Sequence, residues 1–339
     1  MDFSFSEAQV ELAGLTRSIM ADLTDSRLRA AESGDDRFDA ELWDALARAG
    51  ILSVTDFGLL EHCSVLIELG RAVAPVPYLT SIVAASALAK FGSLEAPDAI
   101  HTAALADDEV FASPTADGWS LSGTKSCVPA GAITSLILVP ASTPDGVKVF
   151  VVKPSEVAIT RQRIVDNDSE ALLEFADVSL DASRVLGGAE VLDWLLTRMT
   201  VGLCALQLGV TERALELTAE HARTRVQFER PIGSFQAVAQ RLADAYVDVE
   251  AIRLTLWQAA WRVSEGLPAE TEVASAKFWA ADAGHRVVHT AVHVHGGMGI
   301  DTDHPLHRYF VAAKRNEFTL GGATAQLRKI GAALASTPV

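Results

Sequence analysis

Hydrophobic positions along the first hundred residues recur at helical spacing. Ser6 and Glu7 open a run with apolar residues at Val10, Leu12, Leu15, Ile19 and Met20, predicting a helix from there to about residue 30. Further helices are predicted over 38–49, 59–72 and 80–91, the last stopped by the glycine and proline of 92–97. The pattern then changes. Short β-rich runs over 109–112, 119–125, 133–140, 147–152 and 171–178 are separated by turns such as Ala116-Asp117-Gly118 and Pro144-Asp145-Gly146. They predict a mostly antiparallel β domain of five or more strands. Helical periodicity returns over 194–222, 235–266, 270–295, 305–320 and 324–334. Small residues inside the first of these runs, Gly202, Ala205 and Gly209, suit closely packed antiparallel helices. The predicted fold is therefore α+β, with an N-terminal helical domain (1–99), a middle β domain (100–187) and a C-terminal four-helix bundle (188–339).

Two features complicate that picture. The uncharged stretch 72–89 approaches membrane-spanning length, but Pro75 and Pro77 near its start and Thr80, Ser81 and Ser86 within it predict a buried helix, not a span. The bundle helices also carry more apolar side chains than one internal face needs. Leu203, Leu206, Leu208, Val210, Leu215 and Leu217 lie on the first, and Val247, Val249, Ile252, Leu254, Leu256, Trp257 and Trp261 on the second. Such a surplus predicts an exposed apolar stripe that associates with another chain.

Composition excludes several classes. A formal charge of -16 is wrong for a nucleic-acid groove. Cys63, Cys127 and Cys204 are scattered and form no CxxC, so neither disulfides nor zinc is expected, which fits the cytoplasm. Asp2, Glu7 and Glu11 stand where a signal peptide would be basic. His285, His289 and His293 recur at i, i+4, i+8, with His295 following. No acidic or thiol ligand completes the ladder nearby in sequence, and no metal is expected.

Two segments carry candidate chemistry. Residues 223–236, RTRVQFERPIGSFQ, combine arginines, aromatics and a helix start, a combination able to clamp a pyrophosphate and a base. About 60 residues later HVHGGMG, residues 293–299, places glycines at a helix end, where backbone N–H groups are expected to face an incoming anion.

The domain order and these two segments together resemble the acyl-CoA dehydrogenase family over essentially the whole chain. The resemblance implies FAD held between a β domain and a C-terminal bundle, its adenosine-diphosphate end gripped by a neighbouring subunit's bundle. It places the family's R-x-T/Q-F-G segment on Arg225, Gln227, Phe228 and Glu229, with its following glutamine at Gln236. The Q-x-F/H-G-G-x-G segment falls on His293, His295, Gly296, Gly297 and Gly299. Glu229 replaces the usual glycine and is expected to point away or to pair with Arg230; His293 replaces the usual glutamine and is expected to keep a hydrogen-bonding group on that same face.

Departures from the pattern weigh more than matches. The family's base is a glutamate, which would fall at Leu320 or Gly321, or in some members at Met199 or Thr200; none is acidic, and Glu317 is the nearest carboxylate to the first site. The flavin-contacting T-E-P-G-x-G-S-D run gives way to Leu105-Ala106-Asp107-Asp108-Glu109, and the W-I-T segment to Cys127-Val128-Pro129. The N-terminal domain is also short. Resemblance therefore implies the degenerate subunit of an α2β2 pair, like those acting in actinobacteria on steroid side-chain acyl-CoA thioesters. A catalytically intact partner would supply the glutamate for the α-proton while hydride passes to flavin, and an electron-transfer flavoprotein would reoxidise it. Two alternatives stay open: a self-sufficient homo-oligomer using Glu317, and a cofactor-free helical protein.

Overall fold

The computed structural model describes residues 4–336. They pack as two compact units, each assembled from separated stretches: 4–21, 59–74 and 200–336 form one, and 22–58 and 75–199 the other.

In the first unit, helix α1 (Glu7–Met20) starts at a reciprocal cap. The Ser6 hydroxyl accepts from the Gln9 N–H, and the Gln9 side chain accepts from the Ser6 N–H. The continuous helix expected to residue 30 is two helices. α1 stops at Met20, and α2 (Asp25–Ser33), in the second unit, restarts where the Thr24 hydroxyl accepts from the Arg27 N–H. A side-chain cap inside an apolar run outweighs its periodicity.

The second unit also holds α3 (Ala40–Arg48) and α5 (Tyr78–Phe91), a 14-residue helix with most of its length buried. Its sheet comprises β1 (His101–Ala103), β2 (Val110–Pro114), β3 (Gly118–Pro129), β4 (Leu136–Thr143), β5 (Gly146–Val152), β6 (Ala158–Gln162), β7 (Glu170–Asp181) and β8 (Val185–Gly187). The order is β6-β7-β3-β2-β4-β5-β8, with β1 beside β4. β1 and β2 both run parallel to β4, so the sheet is mixed, and β1, β6 and β8 are strands the periodicity did not reveal. The three-residue strands β1 and β8 are too short to alternate visibly, and β6 (AITRQ) has one strongly apolar residue in five. Leu121, Ile137, Phe150 and Leu173 anchor the core on this sheet.

The long helices follow. α6 (Ala189–Thr224) crosses the boundary between the units at Met199/Thr200; α7 (Gln236–Ser264), α8 (Glu270–His295), α9 (Leu306–Phe318) and α10 (Ala323–Ser336) belong to the first. α4 (Leu59–Ala72) packs there against α6 at backbone distance. A Cβ on Gly209 would meet the Ile67 carbonyl oxygen at 2.0 Å, and one on Gly70 would meet that of Leu206 at 2.3 Å. Neither oxygen can turn aside without moving its helix. Gly209→Ala is therefore expected to destabilise the protein by about 2–3 kcal/mol, read as a lower denaturation midpoint with an unchanged slope. An unchanged midpoint would show that the two helices separate freely.

This packing corrects the apolar stripe expected on α6. Leu203, Leu208 and Val210 are buried within the unit, leaving Val247 and Leu254 on α7 as the exposed members of the set. Among the described residues α6 is the one helix long and apolar enough to cross a membrane, and 56% of its apolar window is buried inside the protein.

Candidate functional site

α6 ends at Thr224, and the chain turns through a two-stranded hairpin, β9 (Val226–Gln227) and β10 (Arg230–Pro231), before α7 begins at Gln236. Phe228 and Glu229 form its tip with φ of 50° and 66°. Two successive positive φ values make the turn that hairpins favour and explain a glycine preference at the second position. Phe228 stands 86% exposed, edge-on to Phe235 at 6.2 Å, while the Arg230 guanidinium lies 4.1 Å over the Phe235 ring. Arg230 is thus engaged with an aromatic face, which is not the Glu229 pairing that was one of the two expectations for that carboxylate. The Gln227 amide donates to the Val226 carbonyl at 2.9 Å. Arg225 is exposed, and among the described residues no carboxylate pairs with it.

The glycine turn needs a correction. Gly296 follows the last residue of α8, so the turn sits at that helix's C-terminus, the carbonyl end, and the helix dipole there does not favour an anion. The helix start that faces the hairpin is α7's. Phe235 provides no side-chain cap and the first turn carries no acid, so the N–H groups at Gln236 and Ala237 have no cap from a neighbouring side chain. Gly296, at φ 64°, and Gly297 have open space where a Cβ would stand, whereas a Cβ on Gly299 would meet the Val292 backbone at 2.8 Å.

Hairpin and glycine turn are brought together by a pair the sequence did not signal. His221, in the last turn of α6, stacks on His295, the last residue of α8, with ring centroids 4.3 Å apart and planes 20° apart. The His295 Nδ1 bonds the Ala291 carbonyl at 2.8 Å, and the ring is buried. His295 therefore braces the surface from beneath. His293 does not share its face: it is exposed and lines a groove of about 920 Å³ between α7 and α8 with Arg241, Asp244, His285 and His289. Residues two apart on a helix point to different sides.

The histidine ladder does meet a carboxylate, from 32 residues further along. Glu317 lies 3.2 Å from the His285 Nδ1 and 2.6 Å from the Lys314 ammonium, which is itself 3.0 Å from that imidazole nitrogen. A lysine thus already occupies the place between them. Beneath, the fully buried Lys277 donates to the Asn316 and Glu317 carbonyls, closing the end of α9; burial pushes its pKa down to about 8. Past α9, Leu320 takes φ 58° and Gly321 φ 90°, and the Gln326 amide donates to both their carbonyls. Met199 and Thr200 are buried. No carboxylate stands at either family base position.

In the sheet, Leu105–Glu109 is tied down. The Lys125 ammonium donates to the Ala106 and Asp108 carbonyls, and the Asp108 carboxylate accepts from the Ser126 N–H and hydroxyl, which hold its pKa below the ordinary aspartate value. Cys127 follows on a bulge of β3 with φ 48°. A closed loop and a bulge thus occupy the positions of the flavin-contacting runs.

Comparison with known proteins follows this geometry. Residues 187–335 match the family described as acyl-CoA dehydrogenase, C-terminal domain. The chain is 48% identical to the acyl-CoA dehydrogenase FadE27 of Mycobacterium tuberculosis over the full length of both. It belongs to the acyl-CoA dehydrogenase family. The fold of this acyl-CoA dehydrogenase superposes on a chain of the ChsE4-ChsE5 complex from Mycobacterium tuberculosis with a TM-score of 0.96 and 50% identity, each chain covered completely. A variant of the Tcur3481-Tcur3483 steroid ACAD gives 0.91 at 38% identity, covering 97% of this chain and 98% of that one.

Proposed function

We propose that this acyl-CoA dehydrogenase is the non-catalytic subunit of an α2β2 complex. The complex carries out α,β-dehydrogenation of a steroid side-chain acyl-CoA, with FAD shared between this chain and a catalytically intact partner. One contrast carries the proposal: Leu320, Gly321, Met199 and Thr200 offer no base, while the hairpin still presents an unpaired guanidinium, an exposed ring and an uncapped helix start. A proton cannot be removed without a group in hydrogen-bond reach of it.

The hairpin's chemistry suits the adenosine-diphosphate end of FAD. Arg225 supplies charge for a pyrophosphate, the first N–H groups of α7 supply donors, Phe228 supplies a stacking face, and Gly296 and Gly297 let backbone approach closely. When bound, FAD supplies the two-electron acceptor for the hydride leaving Cβ. Gln227 and Gln236 add hydrogen-bonding groups at the rim, while His295 and Gly299 set the turn's shape from below. An electron-transfer flavoprotein then draws the electrons away, and the complex works in the cytoplasm.

The steroid assignment follows the likeness to the ChsE4-ChsE5 complex and the Tcur3481-Tcur3483 steroid ACAD. The test is kcat/KM of the complex, formed with the catalytically intact partner subunit, for a steroid side-chain acyl-CoA against butyryl-CoA. The steroid thioester is expected to be favoured by roughly a hundredfold. Preference for butyryl-CoA would overturn the substrate assignment.

A further inference from the structure

The His221–His295 stack is not part of the surface that would touch the cofactor, yet each ring is one short step from it. The His221 carbonyl accepts from the Arg225 N–H at 2.8 Å, so this residue sets where the hairpin departs; His295 directly precedes Gly296. We infer that His221 is a positioning residue for the cofactor-holding surface: its imidazole, stacked on His295, fixes the hairpin against the glycine turn, and only the uncharged pair holds that register. The inference rests on the proposal that hairpin and turn hold FAD.

The surroundings explain the charge requirement. The groups acting on the two rings are Arg225 from the hairpin and His304 from the segment before α9, whose ring lies 5.2 Å from His295 and whose Nδ1 accepts from the Leu306 N–H. No carboxylate is among them. With its Nδ1 donating to Ala291, neutral His295 keeps a bare Nε2; a proton there would set a buried cation against His221 with nothing to offset it. Burial holds both imidazoles below the ordinary histidine range; the bond to the Ala291 carbonyl opposes it at His295 without cancelling it, and the Arg225 guanidinium adds to it at His221.

The sign follows. The uncharged stack is complete above an ordinary histidine pKa of about 6.5. It is lost as pH falls below that value, because the opened surface binds protons that the closed one refuses. FAD binding to the apo complex, followed by flavin fluorescence, is therefore expected to hold steady from about pH 8.5 to 7 and to weaken roughly tenfold by about pH 5.5. His221→Phe keeps a stacking face without a titrating nitrogen. It should bind within about threefold of the native complex at pH 8 and show a shallower profile than the native complex, because only His295 still titrates. His221→Ala should bind roughly tenfold more weakly at pH 8, the scale of a lost aromatic pair. A native-like pH slope in His221→Phe, or native affinity in His221→Ala, would overturn the positioning role. Arg225→Ala serves as the control: tight binding there removes the cofactor proposal itself, whereas weak binding there with indifferent His221 variants removes only this inference.

Discussion

Arg225→Ala is expected to weaken FAD retention by the complex roughly thirtyfold or more while leaving both subunits folded and assembled. Losing one partner of a charged hydrogen bond costs about 2–5 kcal/mol, and the lower bound already corresponds to that factor. The fold should not notice the change. Arg225 is exposed, makes no ion pair with a carboxylate among the described residues, and contributes its N–H and carbonyl to the hairpin through backbone bonds that alanine keeps. Val226 and Gln227 stay paired with Pro231 and Arg230. Flavin content after gel filtration and a fluorescence titration measure the effect. Native flavin content in an intact complex would reduce the hairpin to a connection between two helices.

The residues at this surface were legible in the sequence because guanidinium, aromatic and amide side chains cluster within a dozen positions between two long helical runs. The chemistry of the helix end was misjudged. The periodic run 270–295 stops at the glycines, so they finish the helix, and a last turn presents carbonyls, not free N–H groups. His221 gave no signal for a different reason. It sits among ordinary helix residues, and its importance comes from His295, 74 positions away, a contact that periodicity cannot report. The same limit hid the pairing of Glu317 with His285 and Lys314. The bundle and the larger strands were legible from period alone. The surplus of apolar residues on α6 was misjudged because glycine contacts bring α4 onto that helix and bury more of it than one face.

Loss of function in this chain has a constructive side. The segment 105–109 is not simply shortened: Lys125 and Asp108 lock it to the β3 bulge through four hydrogen bonds. In these bonds the loop gives the acceptors, so the donors already spent are those of Lys125 and Ser126 on β3. The hairpin's donors remain open, and under the proposed function a second subunit becomes a chemical requirement.

That requirement yields the largest expected effect. The isolated chain, incubated with FAD, is expected to reduce no electron acceptor with any acyl-CoA, whereas the complex turns over. A positioned base contributes typically 10²–10⁴-fold by itself, and the isolated chain lacks both base and flavin-contacting runs. Glu317 does not rescue it. Its carboxylate is held at 2.6 Å by the Lys314 ammonium and at 3.2 Å by His285, so it is already engaged away from any substrate proton. The Asn316 and Glu317 carbonyls are fixed from beneath by Lys277, so the residue cannot swing one turn onward to the Leu320 position without breaking those bonds. Glu317→Gln in the complex should therefore leave kcat within about twofold, the scale of a change outside the transition state. Acceptor reduction by the isolated chain, abolished by Glu317→Gln, would establish a self-sufficient enzyme and overturn the shared-site mechanism.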